Sequence, residues 1–148
     1  MTQLTTSSIV IAAAPDKVVD AIADFAAYPS WARGVKRTDV LRSDAEGRPA
    51  HVRFNLDVPP ISDTYTLAYT WDGVRSVSWT LVESALLRSL DGAYELKPLA
   101  DGSTEVSYRL QLDLVVPVIG MLKRKGEKIL IETALQGLKK YVEAQKLR

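Results

Sequence analysis

Apolar and polar residues alternate strictly along the central part of the chain. In the segment HVRFNLDV, the apolar residues Val52, Phe54 and Leu56 alternate with charged or amide side chains, and a period of two is typical of a strand with one buried face. The same alternation recurs in DTYTLAYTWD, SVSWTLVE and STEVSYRLQLDL. Asp-Gly pairs at Asp72-Gly73 and Asp101-Gly102 are strong hairpin signals. These segments predict an antiparallel meander with one face exposed to solvent.

The predicted buried face is rich in aromatic residues. Its inward positions hold aromatic side chains but no carboxylate and no histidine, and the aromatic residues are Phe54, Tyr65, Tyr69, Trp71, Trp79, Tyr94 and Tyr108. Aromatic rings can pack against the carbon skeleton of a ligand, while phenol hydroxyls orient its carbonyl or hydroxyl groups. The pattern therefore predicts either the lining of a ligand pocket or a core filled by the same rings.

Helical periodicity is predicted on either side of this sheet. A first strand over residues 7–13 is followed by Pro15 and Asp16, which are typical of a helix start. A second short helix, with Pro29 near its start, is predicted over residues 27–33. Residues 118–147 predict one helix of about 45 Å that covers the apolar face of the sheet. Its predicted apolar stripe is Leu122, Ile129, Leu130, Thr133, Ala134, Leu135, Leu138, Tyr141 and Val142.

Two local features of the helices need an explanation. The segment DFAAYPSW concentrates Phe25, Tyr28 and Trp31, which predict either core rings that close a helical corner or the rim of a pocket for an apolar ligand. Gly126 and Gly137 lie near the apolar stripe of the last helix. Because glycine costs about 1 kcal/mol relative to alanine in a helix interior, we expect a close approach of the sheet or of a ligand at each.

Composition and charge exclude several classes of function. The 148 residues contain no cysteine and carry a formal net charge of +1, so disulfides and thiolate metal sites are absent and a basic nucleic-acid-binding surface is not expected. The chain length predicts a single domain over residues 1–148. No signal peptide or long apolar run is recognisable, which predicts a cytoplasmic location. His51, the one histidine, has outward parity, so neither a metal site, a cofactor site nor a hydrolytic centre is predicted.

Basic residues at two places leave alternatives open. Counting back in twos from Leu90 gives Arg88 an inward position, where it could pair with an anionic group of a ligand, unless Gly92 marks a bulge that changes the register. The cluster Lys123-Arg124-Lys125, with Lys128, predicts either a solvated helix face or a transient contact with an anionic membrane.

The stretches IVIAAAPDKVVDAIADFAAYPSW, LRSLDGAYELKPLADGSTEVSYRLQL and VPVIGMLKRKGEKILIETALQGLKKYVE together resemble the START-like SRPBCC superfamily, in its polyketide cyclase/dehydrase and lipid-transport branch. The resemblance implies an α+β helix-grip fold, in which a curved antiparallel sheet of about seven strands wraps a long C-terminal helix, with two short helices after the first strand. It also implies an internal cavity for an apolar or amphipathic ligand, with Tyr28 and Trp31 near the mouth of the cavity and Phe25 in the core. One fold of this kind supports many functions.

Three functions from different classes remain open at this point. The first is the binding or carriage of a small hydrophobic molecule such as a lipid, an isoprenoid or a polyketide-like aromatic, by a monomer or a dimer that binds no nucleic acid. The second is a polyketide aromatase/cyclase, and the third is a protein-interaction module such as a ribosome-binding toxin. The predicted ligand-binding residues are Tyr28, Trp31, Phe54, Tyr65, Tyr69, Trp79, Arg88, Tyr94, Tyr108 and Leu122.

Overall fold

The computed structural model describes residues 5–58, 61–115 and 120–145 of the chain. Its elements follow the predicted order of one strand, a helical corner, six strands and one long helix. The strands are β1 (Thr5–Ile11), β2 (Val35–Ser43), β3 (Pro49–Val58), β4 (Ile61–Asp72), β5 (Ser76–Glu83), β6 (Leu87–Pro98) and β7 (Thr104–Leu114). The helices are α1 (Pro15–Ala23), α2 (Tyr28–Trp31) and α3 (Gly120–Gln145), and a 3-10 turn at Phe25–Ala27 separates α1 from α2.

The strands form one antiparallel sheet in the order β1-β7-β6-β5-β4-β3-β2. We call the side of the sheet that packs on the helices its inner face. The predicted alternation is confirmed, since Val52, Trp79 and Val106 are buried while the residues beside them on each strand are exposed or half-buried. The chain therefore has the helix-grip architecture, with its core between the inner face and the helices.

Helix α3 lies along one side of this inner face. It packs chiefly against β1 and β7, and its side chains satisfy the free edge of β1. Lys139 Nζ donates to the Val10 carbonyl at 2.7 Å, and the Ala12 amide donates to Glu143 Oε2 at 2.9 Å. The helical corner covers the other side, where the ring of Phe25 lies 5.0 Å from that of Tyr69, between centroids. The middle of the inner face lies between these two supports.

The predicted apolar stripe of α3 is confirmed in its C-terminal half, where Leu135, Leu138 and Val142 are buried, but it is wrong at Ile129 and Leu130. Ile129 is 56% exposed and Leu130 is 45% exposed, whereas the buried positions are Glu127, Ile131, Leu135, Leu138 and Val142. These positions repeat every three or four residues, and at about 100° per residue Ile129 lies about 200° from Ile131. The buried stripe therefore begins with a carboxyl group at Glu127.

The two glycines of α3 have different explanations. A Cβ on Gly137 would lie 2.6 Å from the Trp31 carbonyl oxygen, so another segment does approach Gly137 closely, but it is α2 and not the sheet or a ligand as predicted. Among the described residues, a Cβ on Gly126 would meet nothing within 4 Å. The close approach of the sheet predicted at Gly126 is therefore wrong.

Strands β5 and β6 separate toward the loop that joins them. They pair only from Ser76–Glu95 to Trp79–Gly92, and beyond this point β5 follows β4 while β6 follows β7. Gly92 is not a bulge, because its pairing with Leu110 of β7 is regular. Instead, a Cβ at Gly92 would clash with the indole ring of Trp79, which lies over it.

Of the helices in the described part of the chain, none has both the length and the apolar character needed to cross a membrane.

Candidate functional site

The inner face carries a continuous cluster of aromatic rings. Ring centroids are separated by 5.3 Å between Phe54 and Tyr65, 5.7 Å between Tyr69 and Trp79, and 5.4 Å between Trp79 and Tyr108. Tyr94 and Tyr108 meet edge to face at 4.7 Å, a favoured geometry for aromatic pairs. The structure thus brings the predicted aromatic residues of β3 to β7 together on one face.

Several members of this face keep solvent-accessible surface although they point toward the helices. Phe54 is 3% exposed, Trp79 5% and Tyr94 5%, but six other inward residues are only half-buried, namely Tyr65, Tyr69, Leu81, Leu90, Tyr108 and Leu112. Because α3 packs chiefly on β1 and β7, the described helices do not cover the middle of the face. The half-buried residues mark the space that remains.

The hydroxyl groups of four tyrosines have no partner among the described residues. Tyr65, Tyr69, Tyr94 and Tyr108, which we call the inward tyrosines, engage in ring contacts, but within residues 5–58, 61–115 and 120–145 no protein atom forms a hydrogen bond with their hydroxyls. A tyrosine hydroxyl in such an environment normally finds a partner. These groups are therefore available to a ligand or to water.

Burial keeps the inward tyrosines uncharged. It is the largest cause of the raised pKa of Tyr65, Tyr69, Tyr94 and Tyr108, and the proximity of other inward tyrosines raises the pKa of Tyr69 and Tyr108 further. For Tyr69 the contributing neighbours include all three other inward tyrosines, so the phenols converge. At physiological pH each one is a neutral hydroxyl that donates or accepts a hydrogen bond.

The two aromatic residues predicted at the pocket edge have structural partners. Tyr28 is 8% exposed, and its hydroxyl donates to the Ile22 carbonyl at 2.6 Å, so Tyr28 closes the end of α1 and its hydroxyl is not free for a ligand. Trp31 is half-buried and stacks on Tyr141 with 6.1 Å between centroids, and its indole Nε1 is buried without a partner among the described residues. Phe25 is 1% exposed, as predicted for a core residue.

The charged residue predicted to point inward does not do so. Arg88 is exposed, and the register between β6 and β7 shifts between Leu87 and Ser89, so that counting in twos from Leu90 fails at this position. The side chain of Leu122 lies outside the part of the chain that the structure describes. His51 is half-buried beside Ala68 of β4, and within the described residues no group of three or more His, Asp or Glu side chains could hold a metal ion.

Glu127 is a buried group that the sequence did not reveal. It is 1% exposed, and its two carboxyl oxygens accept hydrogen bonds from Thr5 Oγ1 at 2.7 Å and from the Leu112 amide at 2.8 Å. Leu112 lies two residues beyond Leu110, the partner of Thr5 in β1. Glu127 therefore continues the hydrogen bonding of β7 past the start of β1, and each of its carboxyl oxygens accepts one hydrogen bond.

Two surface depressions lie away from the inner face. One, of about 510 Å³, is lined mostly by polar residues, among them Arg75 of the turn between β4 and β5 and Glu95 and Lys97 of β6. The other, of about 460 Å³, lies where β3 and β4 meet, beside Asn55 and Asp63. Neither is lined by an inward tyrosine.

A curved antiparallel sheet around a long C-terminal helix, with an aromatic inner face, defines a START/SRPBCC-type helix-grip protein. The chain belongs to the family described as polyketide cyclase/dehydrase and lipid transport, whose model matches residues 2–143. The resemblance seen in the sequence is thereby confirmed. No curated protein matches the chain.

Solved structures show the same fold. A START superfamily protein from Mycobacterium smegmatis superposes with a TM-score of 0.90 at 21% identity, over 97% of this chain and 99% of that one. The Zhui aromatase/cyclase from Streptomyces sp. R1128 gives a TM-score of 0.81 at 16% identity, over 99% and 96% of the two chains. The di-domain ARO/CYC BexL gives 0.77 at 16% identity, with 96% of this chain matching 47% of that one. At these identities the likeness shows the fold alone.

Proposed function

We propose that the protein binds a small apolar or amphipathic molecule on the inner face of its sheet, between the aromatic cluster and α3. The observation that carries this proposal is the set of inward tyrosines, whose hydroxyls have no partner in the described part of the chain while most of their rings remain partly exposed. A core that served packing alone would favour Leu, Ile and Val, which bury no hydroxyl. The family, which includes lipid transport in its description, agrees with this function.

The groups on the face favour binding over catalysis. Neutral phenols can hold a ligand oxygen, and apolar rings can enclose its carbon skeleton. A general base must reach the proton that it removes, and Glu127, the one fully buried carboxyl group among the described residues, already accepts two hydrogen bonds. We therefore place carriage or storage of the ligand ahead of its chemical conversion.

Aromatase/cyclase activity is the second candidate. It is supported by the similarity in fold to the Zhui aromatase/cyclase and to the di-domain ARO/CYC BexL. On this hypothesis the inward tyrosines would hold the carbonyl groups of a poly-β-keto chain in the folded geometry that precedes ring closure. A closed or fully filled interior would favour the third candidate, a protein-interaction module. The half-buried residues of the inner face do not favour it.

Native mass spectrometry tests the binding function. The protein is purified without detergent from the organism that produces it, and any adduct is released and identified by denaturing extraction. Binding predicts a stoichiometric apolar adduct, and a polyketide adduct would favour the cyclase while a lipid or isoprenoid would favour the carrier.

A matched pair of variants locates the adduct. Leu81 is an inward, half-buried residue, and its neighbour Val82 is 51% exposed. Leu81→Trp should fill the space on the inner face and abolish the adduct, whereas Val82→Trp should retain it. Loss of the adduct in both variants, or in neither, would contradict the proposed location.

A further inference from the structure

The inward tyrosines can donate hydrogen bonds to a ligand, but within the described residues no cation lies beside their hydroxyls. Their phenols converge around Tyr69, and each can donate one hydrogen bond to a ligand oxygen. Since these hydroxyls have no partner among the described residues, a ligand oxygen that accepts from them displaces no hydrogen bond within that part of the protein.

Positive charge is missing from the same surface in the described part of the chain. Arg88 is exposed, and Arg109 is paired with Glu95 at 2.7 Å. Lys139 is bound to the Val10 carbonyl and to Glu143. The described cation that touches the aromatic cluster is Arg48, whose guanidinium carbon lies 5.2 Å from the ring centre of Trp71.

Arg48 meets the cluster at its end rather than at the phenols. Trp71 lies at the β4 end next to Asp72, and its indole nitrogen donates to the Pro49 carbonyl at 2.7 Å. The chain segment that carries Arg48 therefore packs against this ring. On the other side of the inner face, the buried acidic side chain among the described residues is Glu127, whose carboxylate would repel an anion.

We propose that the site selects an uncharged ligand with a carbonyl or hydroxyl oxygen and rejects the corresponding carboxylate. This inference rests on the proposed ligand-binding function. A neutral oxygen gains a hydrogen bond from the phenols at a small desolvation cost. A carboxylate would lose its hydration without a cation to replace it, and burial of an unpaired charge is far more costly.

Three naphthalenes of similar size test this selection by isothermal titration calorimetry at pH 7.5. They are 2-acetylnaphthalene, which carries a carbonyl, 2-ethylnaphthalene, which carries none, and 2-naphthoate. The ketone should bind about two- to tenfold more tightly than the hydrocarbon, which corresponds to one net hydrogen bond. The carboxylate should bind about a hundredfold more weakly than the ketone, or worse.

Single-atom variants connect the selection to the phenols. Tyr69→Phe and Tyr108→Phe should each reduce the preference for ketone over hydrocarbon while leaving the affinity for the hydrocarbon within about twofold, because only the hydroxyl is removed. Tyr141→Phe is the matched control. Its hydroxyl contacts Asp24 at 3.5 Å, away from the inner face, so all three affinities should be unchanged.

The possible results separate the two proposals. Carboxylate binding as tight as that of the ketone would overturn the selection and leave ligand binding intact, and its loss in Arg48→Gln would identify the cation responsible. A ketone preference that survives both tyrosine variants would overturn the role of the phenols. If none of the three compounds binds up to its solubility limit, the ligand-binding function is itself contradicted.

Discussion

The contact between Trp79 and Gly92 predicts that adding one methyl group at Gly92 destabilises the protein. A Cβ at Gly92 would lie 2.5 Å from Trp79 Cε2 and 2.7 Å from Nε1, whereas carbon atoms in contact prefer about 3.5–4.0 Å. The indole ring cannot move aside easily, because Tyr69, Tyr94 and Tyr108 surround it at centroid distances of 5.7, 5.4 and 5.4 Å. Gly92→Ala should therefore lower the free energy of unfolding by about 1–3 kcal/mol, the usual cost of overpacking a core.

A double-mutant cycle isolates this contact. Trp79→Leu removes the ring and is itself destabilising, by less than the about 3–5 kcal/mol expected for Trp79→Ala. In the Trp79→Leu background, Gly92→Ala should be neutral or slightly stabilising, because alanine is a better strand residue than glycine when nothing obstructs its Cβ. Urea unfolding of the four proteins should give a coupling free energy of about 1–3 kcal/mol.

Two results of this cycle would contradict the predicted clash between Trp79 and a Cβ at Gly92. If Gly92→Ala costs the same with and without the indole ring, the ring does not lie over Gly92. If Gly92→Ala is neutral in the wild-type background, the inner face has room at this position, and the packing of the aromatic cluster is looser than described.

Three further predictions follow from other contacts. In α3, Gly126→Ala should stabilise the protein by about 0.5–1 kcal/mol because the new Cβ meets open space among the described residues. Gly137→Ala should destabilise it because the new Cβ meets the Trp31 backbone. Thermal unfolding of both variants measures the two changes, and equal shifts in melting temperature would contradict the packing of α2 on α3. Glu127→Leu should lower the free energy of unfolding by about 1–3 kcal/mol because it leaves the Leu112 amide without its acceptor, and Thr5→Val should lower it by less. Chemical denaturation that ranks the two variants in the opposite order would disprove the role of Glu127 as the acceptor for this amide. The pKa values of the inward tyrosines are raised in the folded protein, so above about pH 10 the unfolded chain loses phenolic protons that the native state retains. The free energy of unfolding should therefore fall as pH rises through this range. A spectrophotometric titration in which all six tyrosines of the folded protein ionise near pH 10 would contradict this prediction.

The sequence predicted the strands and their inward residues because strand geometry is local. A side chain at position i shares its face with i+2 whatever lies opposite, so the positions of Phe54, Tyr69, Trp79 and Tyr108 could be derived from alternation alone. Hairpin turns at Asp-Gly pairs fixed the order of the meander in the same way.

The features that the sequence did not reveal depend on contacts between distant segments. Glu127 is buried because the Leu112 amide lies beyond the start of β1 and needs an acceptor, which no helical pattern can show. The exposure of Arg88 follows from a register shift between β6 and β7. The exposure of Ile129 and Leu130 could not be derived because apolar residues occupy more than one face of α3 near them, and packing on β1 and β7 decides which of them is buried.

Intermolecular nuclear Overhauser effects can show whether the inner face of the sheet holds a small ligand. The protein, labelled with ¹³C, is saturated with unlabelled 2-acetylnaphthalene, and contacts between ligand protons and protein side chains are recorded. Binding on the inner face predicts contacts with the rings of Tyr69, Trp79 and Tyr108. Contacts confined to the outer depression around Arg75 and Lys97 would contradict it.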